Sequence, residues 1–133
     1  MTGTVRTTGT GMYAVDFVGT TATTGGAICS IPNPEGVDLF ILRSFVLFTT
    51  ASTGSATIDV GVAAAATTSA SDCISSLEAS STTGKLYNAS AIIHATKTEV
   101  TVDWPSDYFV TITGSATTAG LVGTLFIEYV RAE

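Results

Sequence analysis

The apolar residues of this chain recur mostly at every second position, which is the period of a half-buried strand. Ser55–Ala63 is the plainest case. Ile58, Val60 and Val62 fall on one parity, and Thr57, Asp59 and Gly61 on the other. In Glu99–Trp104, Val100, Val102 and Trp104 alternate with Glu99, Thr101 and Asp103. The pattern predicts further strands at Met12–Val18, Ala27–Ile31, Lys85–Tyr87 leading towards Ala91–Ala95, and Tyr108–Thr113. Pro32-Asn33-Pro34-Glu35-Gly36 is a stop, because two prolines and a glycine break a ladder and favour a turn.

Two runs are apolar on both parities. Val37–Thr49 carries Val37, Leu39 and Ile41 on one and Phe40, Leu42 and Val46 on the other. In Leu121–Val130, Leu125, Ile127 and Tyr129 face away from Val122, Phe126 and Val130. Such a strand is central or is covered on both sides, one of them by another subunit. Arg43 and Ser44 interrupt the first run, and a bulge there exchanges its faces. Thr50–Gly54 reads as a hairpin turn joining that run to Ser55–Ala63.

One stretch, Ala64–Glu78, has a helical pattern. Ser71 or Asp72 is placed to cap it, and Cys73, Ile74 and Leu77 share a face over a turn or two. Residues 1–11 are Thr-rich, with Gly3, Gly9 and Gly11 and no apolar period, and read as a flexible N-terminal arm before a single domain over 12–133. No fixed-period repeat is visible, which disfavours a propeller or β-helix. About eight short strands between Gly, Ser, Thr and Pro turns predict an all-β fold: an antiparallel β-sandwich or jelly roll with at most one short helix.

Composition adds to this picture. Of 133 residues, 45% are apolar and 12% charged, too hydrophobic and too weakly charged for a disordered chain. The polar residues are mainly 25 Thr and 13 Ser, which suit extended backbone and give a hydrated, nearly uncharged surface. Such a surface packs against neighbours without desolvating charge, although a β-rich composition bias alone also produces it. The net charge is −6, with five cations spread along the chain, which argues against nucleic acid and anionic membrane partners. The first residues lack the apolar core of a secretory signal, and Val37–Phe48 is too short to span a bilayer.

Candidate chemistry is sparse. Cys29 and Cys73 lack the spacing of a zinc site. Two buried thiols fit a protein made in a reducing cytoplasm, and a single disulfide remains open. His94, the one histidine, has no nucleophile or orienting acid beside it in sequence and reads as a packed or surface residue. Asp16, Asp38, Asp59, Glu99, Asp103, Asp107 and Glu128 lie singly on strands or at their ends. Glu99 and Asp103 share a face but are about 13 Å apart at strand rise, too far for paired acid–base work. Asn33, Glu35 and Asp38 read as a turn rather than a calcium loop. The glycine-rich stretches lack the lysine of a phosphate loop. Tyr13, Trp104, Tyr108 and Tyr129 are candidates for a sugar platform, with core packing the stronger reading for Trp104. These readings point away from an enzyme and assign no catalytic residue, cofactor or metal.

Asn33–Leu39, the Thr49–Val62 stretch with its Thr-Ala-Ser-Thr-Gly turn, and the closing Gly120–Tyr129 resemble small structural proteins of tailed bacteriophages, in particular capsid decoration (cement) proteins. The resemblance spans most of 25–130 as a style of sequence. It implies a homotrimeric β-sandwich on the outer capsid surface of the virion, bridging subunits of the major capsid protein, made in the host cytoplasm and free of catalytic residues. It further implies an arm that touches the shell, so that Thr4, Val5 and Arg6 become candidate contacts, beside Trp104 at a strand end. A head-fibre or tail-associated module that binds a receptor or glycan is the alternative.

Overall fold

The computed structural model describes residues 10–80, 83–88 and 102–132. These residues form nine strands: β1 (Thr10–Val18), β2 (Gly26–Pro32), β3 (Leu39–Thr50), β4 (Thr57–Ala63), β5 (Ile74–Glu78), β6 (Leu86–Asn88), β7 (Val102–Trp104), β8 (Phe109–Gly114) and β9 (Val122–Arg131). They make two antiparallel sheets. One runs β1-β9-β3-β6, with β7 pairing the other half of the same β3 edge; the second runs β2-β8-β4-β5.

The order follows from one long hairpin. β1 lies against β9, β2 against β8, β3 against β6 and β7, and β4 against β5. Rolling that hairpin up brings β9 beside β3 and β8 beside β4, which closes the two sheets over one core. The fold is an antiparallel β-sandwich with jelly-roll strand order.

Inward residues from both sheets interdigitate. Leu39, Ile41, Val46, Phe48, Leu125 and Ile127 come from the first sheet, and Ile58, Val60, Val110 and Ile112 from the second. Burying each such side chain contributes about 1.5–3 kcal/mol. The face exchange in β3 occurs as its sequence suggests. The ladder slips between Ile41 and Arg43, so Leu42 is the extra residue and the inward set changes from Leu39 and Ile41 to Ser44, Val46 and Phe48.

Three expectations need correction. Thr50–Gly54 is not a hairpin turn, since β3 and β4 belong to different sheets. The link carries the chain across the sandwich, and other loops satisfy its backbone: Ser52 N–H donates to Ala79 O and Thr53 N–H to Ala119 O, each at 3.0 Å. The helix expected in Ala64–Glu78 is a loop followed by β5, and no helix occurs among the described residues. Ile74 and Leu77 both face inward three residues apart because Ser75 and Ser76 bulge opposite Asp59. Ser76 has φ 54°, and its N–H donates to Asp59 Oδ1 at 2.7 Å. The expected bound of the N-terminal segment at residue 11 does not hold, as Thr10 and Gly11 already belong to β1. Residues 1–9 lie outside the described residues, as does Ala91–Ala95.

Glycines let aromatic rings lie flat on the β1–β9 ladder. Gly11 pairs with Tyr129 and Gly123 with Phe17. A Cβ on Gly11 would collide with the Tyr129 ring, and one on Gly123 would stand 2.8 Å from Phe17 Cζ and from Leu47 O.

Candidate functional site

The two outer faces of the sandwich differ. On the four-stranded sheet, Gly61, Thr111 and Thr113 point outward yet are buried, because the loop over residues 64–72 lies across them. Thr111 Oγ1 donates to Thr68 O at 2.8 Å, the Ser69 and Thr113 hydroxyls are 2.9 Å apart, and a Cβ on Gly61 would meet Ala70.

The outer face of the five-stranded sheet carries no such cover among the described residues. Its central rung is Ala14, Phe126 and Phe45, in register across β1, β9 and β3. Met12, Val18 and Leu86 are 55%, 66% and 61% exposed on the same face, interspersed with Asp16, Thr124, Arg43 and Glu128. One ion pair and one hydroxyl bond engage three of the charged groups on this face, while Asp103, opposite Phe40, stands exposed. Arg43 Nη2 is 2.9 Å from Glu128 Oε2, holding that carboxyl below the usual carboxylate range, and the guanidinium stands 5.6 Å from the Phe45 ring centroid. Asp16 Oδ1 accepts the Thr124 hydroxyl at 2.7 Å.

At one end of the sandwich the loop after β2 is pinned. Asn33 sits between two prolines, where an Asx turn is favoured, and its Oδ1 accepts the N–H groups of Glu35 and Gly36 at 3.0 Å. Its Nδ2 lies 2.9–3.2 Å from the carbonyls of Val37, Trp104 and Pro105. Glu35 accepts from Arg131 Nη2 at 2.6 Å and from the Tyr129 hydroxyl at 2.9 Å. Those bonds, Arg131 foremost, hold its carboxyl below the ordinary value. Beside this loop a cleft of about 200 Å³ is lined by Asp38, Leu39, Phe40, Asp103, Trp104 and Pro105, among others. Asp38 Oδ1 accepts the Ser106 N–H at 2.9 Å.

The structure scatters most of the sequence candidates. Trp104 is fully buried; its indole N–H donates to Tyr108 O at 3.0 Å, and its ring meets Tyr129 edge-on at 6.5 Å. Tyr13, Tyr108 and Tyr129 also pack on the core, so the four aromatics form no outward sugar platform. Asp38 and Asp103 do meet at the cleft because β3 pairs with β7, a register that neither segment signals by itself. Asp59 supports the bulge, and Glu35 is occupied by Arg131 and Tyr129 rather than forming a cation loop with Asn33 and Asp38. Thr4, Val5, Arg6, His94 and Glu99 lie outside the described residues. Among the described residues no group of three His, Cys, Asp or Glu is placed to hold a metal ion, and no helix is long and apolar enough to cross a membrane.

The cysteines are free. Cys29 lies on β2, while the Cys73 N–H joins Val60 on the far side of the same sheet. Three strand spacings, about 14 Å, separate these edges, whereas bridged Cα atoms lie within about 7 Å. Burial pushes the Cys73 thiol up to about 12, reinforced by Asp72 and opposed by a hydrogen bond to Ser44. A thiol so deprotonation-resistant and so enclosed is a packing group, not a nucleophile.

Compared with protein families, with curated proteins and with solved structures, the chain matches none. Its fold and surface therefore carry the functional argument.

Proposed function

We propose that this protein is a structural component of a phage virion, one that decorates the outer capsid surface and stabilises it by bridging subunits of the major capsid protein. The observation that carries the reading is the outer face of the five-stranded sheet, where exposed apolar side chains stand around one internal ion pair, Arg43 with Glu128. A face of that kind suits contact with protein, since it can be covered without stranding many charges. Jelly rolls recur in capsid and lectin domains, a fold-level analogy that agrees with the reading without establishing it. The Thr- and Ser-rich, weakly charged composition agrees as well.

The test is co-sedimentation with emptied heads assembled from the major capsid protein encoded in the same genome. Saturable binding and greater resistance of the shells to heat are the expected results. Shells that neither retain the protein nor gain stability overturn the reading.

A second reading is a receptor- or glycan-binding module. The cleft beside Phe40 favours it, because Asp38 and Asp103 stand at its rim as acceptors for hydroxyl groups. A glycan screen with the native protein and an Asp103→Asn variant tests it; a ligand lost in the variant supports this reading, and a blank screen removes it.

A further inference from the structure

We propose that the cleft beside Phe40 binds an arginine side chain presented by a protein partner. The inference rests on the second reading and deepens it, naming a receptor recognised through its guanidinium group rather than a glycan.

Charge is the first argument. Asp38 and Asp103 both line the cleft, and among the described residues no lysine or arginine does. Both aspartates are exposed. Neither is paired with a described cation, since Arg43 is engaged by Glu128 and Arg131 by Glu35. Two carboxylates at one mouth without a counter-charge select a cation over a neutral or acidic ligand.

The lining narrows the kind of cation. Phe40 stands directly opposite Asp103 across the β3–β7 pairing, so a ring and a carboxylate lie side by side. Phe40 and Pro105 are half-buried and give the cleft an apolar part. A metal ion makes no use of that part, and among the described residues no third His, Cys, Asp or Glu joins the pair to hold one. A lysine ammonium is compact and strongly hydrated. A guanidinium is planar and weakly hydrated, stacks on an aromatic face and offers a fork of N–H donors to carboxylates. Its aliphatic stem covers apolar surface at the same time. A space of about 200 Å³ admits one such side chain rather than a helix or a strand.

The cleft is also held in shape before anything binds. Asp38 Oδ1 accepts the Ser106 N–H at 2.9 Å, and the Asp38 carbonyl accepts the Ala132 N–H at 3.0 Å. The Trp104 carbonyl accepts from Asn33 Nδ2 at 3.1 Å. The three segments around the cleft are thereby tied together, so little ordering is lost on binding.

The test is a nuclear magnetic resonance titration of the native protein with Nα-acetyl-arginine methylamide. Its citrulline counterpart, in which a neutral urea group replaces the guanidinium, is titrated beside it. The arginine probe should move the backbone amides of Phe40, Asp103 and Trp104 saturably. Binding should be at least about 5-fold weaker for the citrulline probe and for Asp103→Asn, because a neutral hydrogen bond then replaces a charged one. Added salt should weaken it further. Asp38→Asn keeps an oxygen for the Ser106 N–H and is the second variant should the first fail to fold. No saturable shift at the cleft overturns the proposal, whether the cleft is then bare or filled by another part of the chain. Equal binding of the two probes, or binding indifferent to both variants, also overturns it. A sugar that binds the cleft where the arginine probe does not overturns this inference and leaves the second reading standing. Arginine binding beside a blank glycan screen supports the inference and removes the glycan form of that reading.

Discussion

The hydroxyl of Tyr129 donates to Glu35 Oε2 at 2.9 Å, joining residues 94 positions apart in the chain. The other carboxylate oxygen is held by Arg131 at 2.6 Å. This contact ties the loop after β2 to the end of β9, and Gly11 leaves the space in which the Tyr129 ring lies.

Acid should loosen this tie. Folding lowers the Glu35 pKa, with Arg131 as the first cause and Tyr129 the second. The stability it adds is therefore present above the unfolded value, about 4.3, and is lost as pH falls through the lower folded value. Urea unfolding from neutral pH downward should show Glu35→Gln less stable than the native protein near neutrality, with the gap closing below about pH 4. A gap that stays constant with pH would count against the linkage.

The two thiols should differ in reactivity. Cys73 is buried and its pKa is pushed up to about 12, while Cys29 is half-buried with its pKa raised by burial to a lesser extent. A thiol-specific reagent followed by mass spectrometry should label Cys29 slowly and leave Cys73 untouched until denaturant is added. Oxidation of the native monomer should produce no internal bridge.

Ser76 holds a backbone conformation that L-residues disfavour, at φ 54°. Left-handed geometry costs a non-glycine residue about 1–2 kcal/mol, and glycine's extra freedom when unfolded returns about half of that. Ser76→Gly keeps the N–H that meets Asp59, so it should stabilise the protein by about 0.5 kcal/mol. A melting temperature at or below that of the native protein would contradict this account of the bulge.

Trp104 is the one tryptophan and is fully buried. Its emission should be blue-shifted in the native state and move to the red in a single cooperative step. Trp104→Phe loses the indole bond to Tyr108 and part of the packing on Tyr129, and should cost about 1–3 kcal/mol in chemical denaturation. A smaller loss would mean that the core closes readily around the gap.

Strand positions were readable in the sequence wherever one face alone is apolar, as in β4, where Ile58 and Val60 are buried. Pairing was not readable. The turn after β3 has the composition of a hairpin, yet its neighbours are fixed by Ala79 and Ala119, far along the chain. The three-residue spacing of Ile74 and Leu77 suits a helix as well as a bulged strand, and only the Asp59 contact decides between them. The candidate face was visible as the second parity of β3 and β9. Its pairing of Arg43 with Glu128 was hidden, because 85 positions separate them.

The pairing of β1 with β9 has a consequence for how the chain is made. Asp16 must wait for Thr124, which is 108 positions later. At ~5–20 residues per second a ribosome takes roughly 5–20 seconds to deliver it. Through that interval the first strand stands without its partner, and most of the sandwich's contacts are likewise distant in sequence, a topology that folds slowly. A nascent chain of this kind passes through a window of vulnerability to aggregation that its finished form conceals, and Val37–Thr49, apolar on both parities, emerges inside that window.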